Sequence, residues 1–161
     1  MVYIYRRLYY SVLPWGAELY KDLDLKIIAE LKRDGRASAR QIGKRLDIST
    51  GTVATRIRHM EKDGVIRGFR PLLNYQKLGL GITAVTLIKA MGGKIPALMR
   101  DLIADSQLTH VYEITGEFDL LVIGKFRDTD TMNRHIKKLL SHKAIKETNT
   151  SIVLGPGKEE F

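Results

Sequence analysis

The chain has 161 residues, 44% of them hydrophobic and 28% charged, which suits one ordinary globular domain or two small ones and excludes a largely disordered chain. It has no cysteine, which excludes disulfides, thiolate metal sites and cysteine nucleophiles, and no apolar run near the roughly 20 residues of a membrane-spanning helix, so we expect a cytoplasmic protein. The net charge of +9 is concentrated in residues 1–75, where 15 lysines and arginines face 8 aspartates and glutamates; this excess suits either a polyanionic partner or a merely solvated basic surface.

The chain divides into five segments. Residues 1–20 form an aromatic arm whose role the sequence does not explain. Residues 21–68 predict a compact helical unit, and residues 69–80 predict a linker because Pro71, Asn74 and Gly79 break regular structure. Residues 81–154 alternate between strand and helix patterns, and residues 155–161 form a tail.

The helical unit carries readable helix signals. In the first helix, we expect Asp24 to be the N-cap, with Leu23 and Ile28 as a hydrophobic staple. In the second, Ser38 and Gln41 have the spacing of a capping box. After a tight connection over residues 46–48, we expect Ser49 to cap a third helix of residues 50–62, which Gly64 ends. Two short helices joined by about three residues and supported by a preceding helix form the helix-turn-helix pattern.

The third predicted helix has two contrasting faces. Val53, Ile57 and Met60 make an apolar face, and the opposite face is small and hydroxylated at its start and basic along its length. A solvated surface helix would also carry lysine and arginine, but the absence of acidic residues from this face favours a helix that enters the DNA major groove. The predicted DNA-contacting residues are Ser38, Ser49, Thr50, Gly51, Thr52, Thr55, Arg56, Arg58, His59, Lys62 and Arg67.

These residues have different expected roles. We expect Arg56 to contact phosphate, and Thr55 and His59 to contact base edges. Residues 65–70 contain short β-prone residues broken by a glycine, which predicts a wing or strand in which Arg67 and Arg70 either contact phosphates or are simply solvated.

The second half predicts the strand and helix order βαββαβ, the split βαβ fold. The predicted strands are residues 82–89, 108–114, 118–126 and 145–154, and the predicted helices are residues 94–104 and 129–140. The buried helix stripes are expected to be Leu98, Leu102 and Ile103, and then Met132, Ile136, Leu139 and Leu140. Both helices would cover one face of the sheet, and a partner subunit is the simplest cover for the other.

The chain resembles the leucine-responsive regulatory (Lrp/AsnC, feast/famine) family over roughly residues 22–154. The stretches that support this resemblance are residues 23–31, 34–36, 48–49, 56–66, 68–69, 73–74 and 77–79. They are followed by Thr115-Gly116-Glu117-Phe118-Asp119, which is similar to the Gly-x-Phe/Tyr-Asp loop of the family. A helix-turn-helix alone is a weak signature, whereas this ordered combination is fairly specific.

The resemblance implies an α+β protein with an N-terminal winged helix-turn-helix domain and a C-terminal ferredoxin-like (RAM-type) domain. It implies a sequence-specific transcriptional regulator that binds double-stranded DNA. It also implies a homodimer that often assembles further into tetramers or octamers. An amino acid or related metabolite would bind between subunits and alter assembly or DNA affinity. No cofactor is implied.

The loop at residues 116–119 is the first candidate for binding this effector. Gly116 permits a positive φ and a close approach of ligand to backbone, and Asp119 could pair with an α-ammonium group. A tight hairpin in which Asp119 is a local hydrogen-bond acceptor is the alternative. The candidate ligand-binding residues are Tyr112, Gly116, Glu117, Phe118, Asp119, Thr148 and Thr150.

Catalytic and metal-binding motifs are not found in the sequence. The four histidines, His59, His110, His135 and His142, lack metal-ligand spacing, and we expect each at the surface or at a helix end. Two alternatives to a regulator remain. The sirohaem decarboxylases are similar in architecture, and His110 or His135 could serve such an enzyme. A non-specific chromatin-organising protein would bind DNA with little sequence preference.

Overall fold

The computed structural model describes residues 21–155 and divides the chain into two compact units, with the division between Pro71 and Leu72. This division falls within the predicted linker of residues 69–80. The aromatic arm of residues 1–20 and the tail beyond Gly155 lie outside the described residues. In the described part of the chain, no helix combines the length and apolar character needed to cross a membrane.

The N-terminal unit is built from the helices α1 (Asp22–Arg33), α2 (Ala39–Leu46) and α3 (Thr50–Lys62). Its core contains Ile27 of α1, Ile42 of α2, and Val53 and Met60 of α3, all of them buried. Each such side chain contributes about 1.5–3 kcal/mol when it leaves water. The apolar face predicted for α3 is therefore the face that holds the three helices together.

The start of each helix tests the predicted caps. The capping box is present, since Ser38 Oγ accepts the N–H of Gln41 at 3.3 Å and Gln41 Oε1 accepts the N–H of Ser38 at 2.8 Å. Ser49 Oγ likewise accepts the N–H of Thr52 at 3.0 Å. The predicted cap at Asp24 is wrong, because α1 begins earlier and Asp24 is a buried residue of its first turn. Its carboxylate accepts a hydrogen bond from Arg56 of α3 instead.

Residues 65–70, the predicted wing, follow α3. Gly64 ends the helix with a φ of 73°, as predicted. The N–H of Ile66 then donates to the carbonyl of Met60 at 3.0 Å, which holds the start of the segment against α3. Within the described residues this segment pairs with no strand, and Arg67 and Arg70 are exposed. The predicted wing is therefore a segment without regular secondary structure rather than part of a sheet.

The C-terminal unit has the predicted βαββαβ order. Its elements are β1 (Ile82–Ala90), α4 (Ile95–Ile103), β2 (Leu108–Glu113), β3 (Leu120–Phe126), α5 (Thr129–Leu140) and β4 (Ile145–Ile152). The strands form one antiparallel sheet in the order β2-β3-β1-β4. β2 and β4 are therefore its edge strands.

The register of the strands separates two faces of the sheet. On one face, Ile88 lies opposite Leu120, and both are buried in a core that includes Leu98 and Leu102 of α4 and Leu139 of α5. The other face carries Val85, Leu87, Leu121 and Ile123, each only half-buried. The centre of this open face is apolar, and neither α4 nor α5 covers it.

Two residues of the predicted helix stripes point away from the core. Ile103 is 68% exposed and Leu140 is 51% exposed. Each follows a buried leucine by one residue, and a step of about 100° turns the side chain off the buried face. His135, which we predicted at the surface or a helix end, is buried, because it lies one turn before Leu139 on that face.

Buried His135 is held by an acidic partner in the loop before β2. Its Nε2 lies 3.2 Å from Oδ2 of Asp105, and its ring packs on Phe126. Burial raises the pKa of Asp105, but the N–H of Gln107 and the positive charges of His135 and Lys138 outweigh that effect, so the pKa lies below its ordinary value. The ionised carboxylate fastens α5 to the loop before β2.

Candidate functional site

The exposed face of α3 is the first candidate site. Val53 and Met60 are buried beneath it, and Ser49 caps its start. Every residue predicted on this face is exposed: Gly51, Thr52, Thr55, Arg58, His59 and Lys62. Ser38, Thr50 and Arg67 are also exposed. The structure therefore brings small, hydroxylated and basic side chains to one surface of the helix.

The side chains on this face differ in the hydrogen bonds that they already make within the chain. Ser49 Oγ and Thr52 Oγ1 lie 2.8 Å apart. Arg58 donates to Thr55 Oγ1 and to the carbonyl of Ala54, each at 3.4 Å. The side chains of His59 and Lys62 form no hydrogen bond or ion pair with the rest of residues 21–155. These two side chains can meet an external partner without breaking an internal contact.

Arg56 is held differently from the other basic residues of α3. Its Nη1 lies 3.5 Å from Oδ2 of Asp24, and the side chains of Arg56 and Asp24 are 30% and 8% exposed. The other carboxylate oxygen of Asp24 is buried without a hydrogen-bond partner in the described chain. The ion pair fixes α3 to α1, so Arg56 has a structural partner that its sequence position did not reveal.

A second carboxylate of α1 fixes α2. Glu30, which is buried, accepts hydrogen bonds from Arg33 at 2.7 Å and from Arg45 at 3.0 Å. A buried carboxylate needs such partners because its desolvation is costly. Asp24 and Glu30 therefore tie both helices of the helix-turn-helix to the supporting helix.

Sequence reasoning missed two basic residues of α2. Arg40 and Lys44 are both exposed and four residues apart, so they lie on one face of this helix. In helix-turn-helix proteins the first helix of the motif crosses the DNA backbone. Their spacing opposite buried Ile42 is the signal that could have identified them.

The second candidate site is the loop at residues 116–119. Asp119 is tied to β1, because its Oδ2 accepts the N–H of Ala90 at 2.7 Å and its own N–H donates to the carbonyl of Ile88 at 3.0 Å. Gly116 is exposed, with a φ of 116° that disfavours other residues, and a Cβ there would meet open space. The loop is thus anchored at Asp119 and open at Gly116.

Lys89 was not predicted at this site. Its Nζ donates to the carbonyl of Glu117, which brings an ammonium group to the loop. Lys89 is the one charged residue of β1, and that isolated charge is the signal that could have identified it. The site therefore combines two acidic side chains of the loop, Glu117 and Asp119, with the ammonium group of Lys89 from β1.

The structure does not gather the remaining ligand candidates on one surface. Tyr112 is on the open face of the sheet, 49% exposed and stacked on His110. Thr148 and Thr150 lie opposite Ile88 and Thr86, on the helix-covered face, and Thr150 Oγ1 lies 3.0 Å from Thr86 Oγ1. Tyr112 and the two threonines therefore face opposite sides of the sheet. Within residues 21–155, no group of three or more acidic residues, histidines or cysteines is placed to hold a metal ion.

Both units match models of known protein families. Residues 21–67 match a family of winged helix-turn-helix DNA-binding domains. Residues 83–161 match the Lrp/AsnC ligand binding domain. The two matches fall on the two units that the structure separates.

Named relatives cover nearly the whole chain. An HTH-type transcriptional regulator of Pyrococcus furiosus is 46% identical over 140 residues, which is 87% of this chain and 95% of the relative. The HTH-type transcriptional regulator FL11 of the same organism is 33% identical and covers 86% of this chain and 91% of its own length.

Solved structures share the fold. A transcriptional regulator of Neisseria meningitidis, crystallised with L-methionine, has a TM-score of 0.81 at 23% identity, over 88% of this chain and 94% of that one. AsnC of Escherichia coli has the same TM-score and identity, over 88% and 97% of the two chains. These likenesses establish the α+β architecture of both units.

Proposed function

This chain belongs to the Lrp/AsnC family of DNA-binding transcriptional regulators, and we propose that α3 recognises a specific operator while the C-terminal unit responds to an amino acid or a related small metabolite. One observation best supports the proposed recognition of an operator by α3. The exposed face of α3 offers threonines, a histidine and basic side chains but no carboxylate, as a helix in the major groove requires.

The residues of the N-terminal unit divide into two roles. Thr55 and His59 would contact base edges, since both lie on the exposed face of α3. The serines at the helix starts and the small residues Thr50, Gly51 and Thr52 would permit close approach to the groove. The phosphate-contacting residues would be Arg58, Lys62 and Arg67, joined by Arg40 and Lys44 of α2. Arg56 is not included in this set because its guanidinium is already paired with Asp24. A phosphate contact by Arg56 stays a prediction.

A second copy of the chain would cover the open face of the sheet. Val85, Leu87, Leu121 and Ile123 leave that face apolar and half-exposed, and burying it against the same face of a partner would give a two-fold dimer. A dimer suits an operator with two half-sites. Tetramers or octamers would form by further association of such dimers.

The loop at residues 116–119 would bind the effector. Asp119 would attract the α-ammonium group of an amino acid, and Lys89 with the backbone N–H groups near Gly116 would take its carboxylate. The L-methionine complex of the Neisseria regulator supports an amino acid as the chemical class. Thr148 and Thr150 would be less direct contributors, since one hydroxyl is already paired with Thr86.

A gel shift tests the proposed recognition of an operator by α3. The DNA upstream of the protein's own gene is titrated with protein against random competitor, with and without a pool of amino acids. Thr55→Ala and His59→Ala should each cost about 1–3 kcal/mol on the operator and little on random DNA, because only base contacts distinguish the two. Lys62→Ala should weaken both DNAs alike. Equal losses on both DNAs for all three variants would remove Thr55 and His59 as base-contacting residues.

Two changes at Asp119 separate its binding role from its structural role. Asp119→Asn keeps a carbonyl oxygen for the N–H of Ala90 but loses the charge, so binding of L-methionine should fall at least about tenfold while the fold stays intact. Asp119→Ala should lose binding and also loosen the loop. Titration calorimetry with L-methionine and then the other amino acids measures binding. Unchanged binding by the asparagine variant would show that Asp119 serves only the hairpin.

The alternative functions make different predictions. His110 lies on the open face of the sheet and His135 is buried on the helix-covered face, so the two histidines do not converge on one tetrapyrrole site. The relatives are named as transcriptional regulators, which favours a non-enzymatic role. A Soret band in the purified protein, or turnover of sirohaem, would favour the enzyme. Binding that random competitor abolishes would favour a non-specific chromatin protein.

A further inference from the structure

Positive charge in the C-terminal unit is concentrated in one segment. Residues 127–146 contain six lysines and arginines against two aspartates: Arg127, Arg134, Lys137, Lys138, Lys143 and Lys146 against Asp128 and Asp130. Residues 76–126 contain five of each sign and are neutral, and residues 147–161 contain one lysine against three glutamates. The excess of this unit therefore lies on α5 and the turn and strand that follow it.

These cations are on the surface. Met132, His135 and Leu139 form the buried side of α5, and Arg134 and Lys137 lie on its exposed side. Lys143 is exposed in the turn after the helix, and Lys146 is exposed on the edge strand β4. We call Arg134, Lys137, Lys143 and Lys146 the α5 basic surface.

The four side chains of the α5 basic surface form no ion pair in the described part of the chain, although the charge of Arg134 helps to lower the pKa of Asp128. Arg134 donates to the hydroxyl of Thr131 at 3.0 Å, and no ion pair within residues 21–155 involves the three lysines. Of the nearby acids, Asp128 and Asp105 accept other hydrogen bonds, whereas Asp130 and Glu147 are exposed close to Arg134 and Lys146 along the chain. Asp128 accepts the N–H of Thr131 at 2.7 Å, Asp105 is paired with His135 and Lys138, and Asp130 precedes Arg134 by one turn. Unneutralised charges of one sign repel each other, and a polyanion removes that cost.

We propose that the α5 basic surface is a second DNA contact, which binds the phosphate backbone beside the operator without recognising sequence. This inference rests on the proposed function, because an operator held by the N-terminal unit raises the effective concentration of flanking DNA for the C-terminal unit of the same chain. DNA fits better than an acidic protein. The surface has a single large apolar side chain on its helix, exposed Leu140, and lacks the aromatic anchors that dominate protein interfaces.

Full-length protein carrying Arg134→Ala, Lys137→Ala and Lys143→Ala tests the surface. Its matched control carries Lys77→Ala, Lys94→Ala and Arg100→Ala, three exposed cations of the same unit outside the α5 basic surface. Fluorescence anisotropy gives the affinity for a duplex trimmed to the footprint and for one extended on both sides, over a range of salt. The surface variant should lose about tenfold on the extended duplex, and its salt slope there should fall by about 0.9 for each phosphate contact removed. On the trimmed duplex it should match the wild type.

Comparison of the surface variant with the control variant decides how each outcome is interpreted. If both triple variants lose affinity equally, the effect is one of net charge and the proposal is overturned. An unchanged salt slope for the surface variant overturns it as well, and assigns the surface to solvent or an acidic protein. If the wild type itself fails to bind either duplex at low salt, the proposed operator recognition fails instead. Equal melting temperatures of the three proteins exclude a folding defect as the cause.

Discussion

Gly43→Ala should destabilise the helix-turn-helix by about 2 kcal/mol and abolish specific DNA binding. Gly43 is a buried residue of α2, and a Cβ there would lie 2.7 Å from the carbonyl oxygen of Ile48. The connection cannot move away, because the carbonyl of Gly43 accepts the N–H groups of both Asp47 and Ile48. Asp47 has a φ of 54°, so the turn has little freedom to adjust. The added methyl group must therefore separate α2 from the start of α3.

Gly51→Ala is the matched control for this substitution. Gly51 is also a helical glycine, but it is exposed, and the nearest atom to its Cβ would be Ser49 Oγ at 3.8 Å. Alanine there should stabilise α3 by up to about 1 kcal/mol through helix propensity. Hydrogen exchange of the amides of α2 and α3 measures the stability of this unit separately from the C-terminal unit. Similar protection in the two alanine variants would contradict the steric argument.

The caps of the N-terminal unit show what local sequence determines. Ser38 and Ser49 were predicted correctly because each satisfies N–H groups within three residues of itself. Asp24 has the residue type of a cap as well, but Arg56, 32 positions along the chain, supplies a partner for its carboxylate. Local spacing carries no information about a contact between residues so far apart in sequence. For this reason the structural role of Arg56 could not be predicted either.

The C-terminal unit shows a second limit of prediction from the sequence. The order βαββαβ follows from hydrophobic periodicity, and the sheet matches it. Periodicity does not say which face of an edge strand the helices cover, so Thr148 and Thr150 were grouped with a loop and a tyrosine that the register places elsewhere. Periodicity also placed Ile103 and Leu140 in the buried helix stripes, and both are exposed. Lys89 became a candidate only when the fold placed it against Glu117.

Arg56→Ala should destabilise the N-terminal unit by about 2 kcal/mol, because it leaves the buried carboxylate of Asp24 without its one hydrogen-bond partner in the described chain. Asp24→Ala should cost less, since Arg56 is 30% exposed and can turn to water. The double variant should cost less than the sum of the two by about 1 kcal/mol, as contacting residues do in a mutant cycle. Arg58→Ala is the control, because this neighbouring arginine is exposed and has no carboxylate partner in residues 21–155.

The same variants decide between the two roles of Arg56. If its guanidinium leaves Asp24 for a phosphate when DNA binds, Asp24→Ala frees it beforehand, so affinity for any DNA rises, and Arg56→Ala makes the salt slope shallower by about 0.9. If Arg56 only positions α3, Asp24→Ala loosens the helix and operator affinity falls, while Arg56→Ala leaves the salt slope unchanged. Additive losses of stability in the cycle would show that the ion pair holds neither helix. Because Arg56 cannot pair with both groups at once, Asp24 would weaken non-specific binding in the first case and support specific binding in the second.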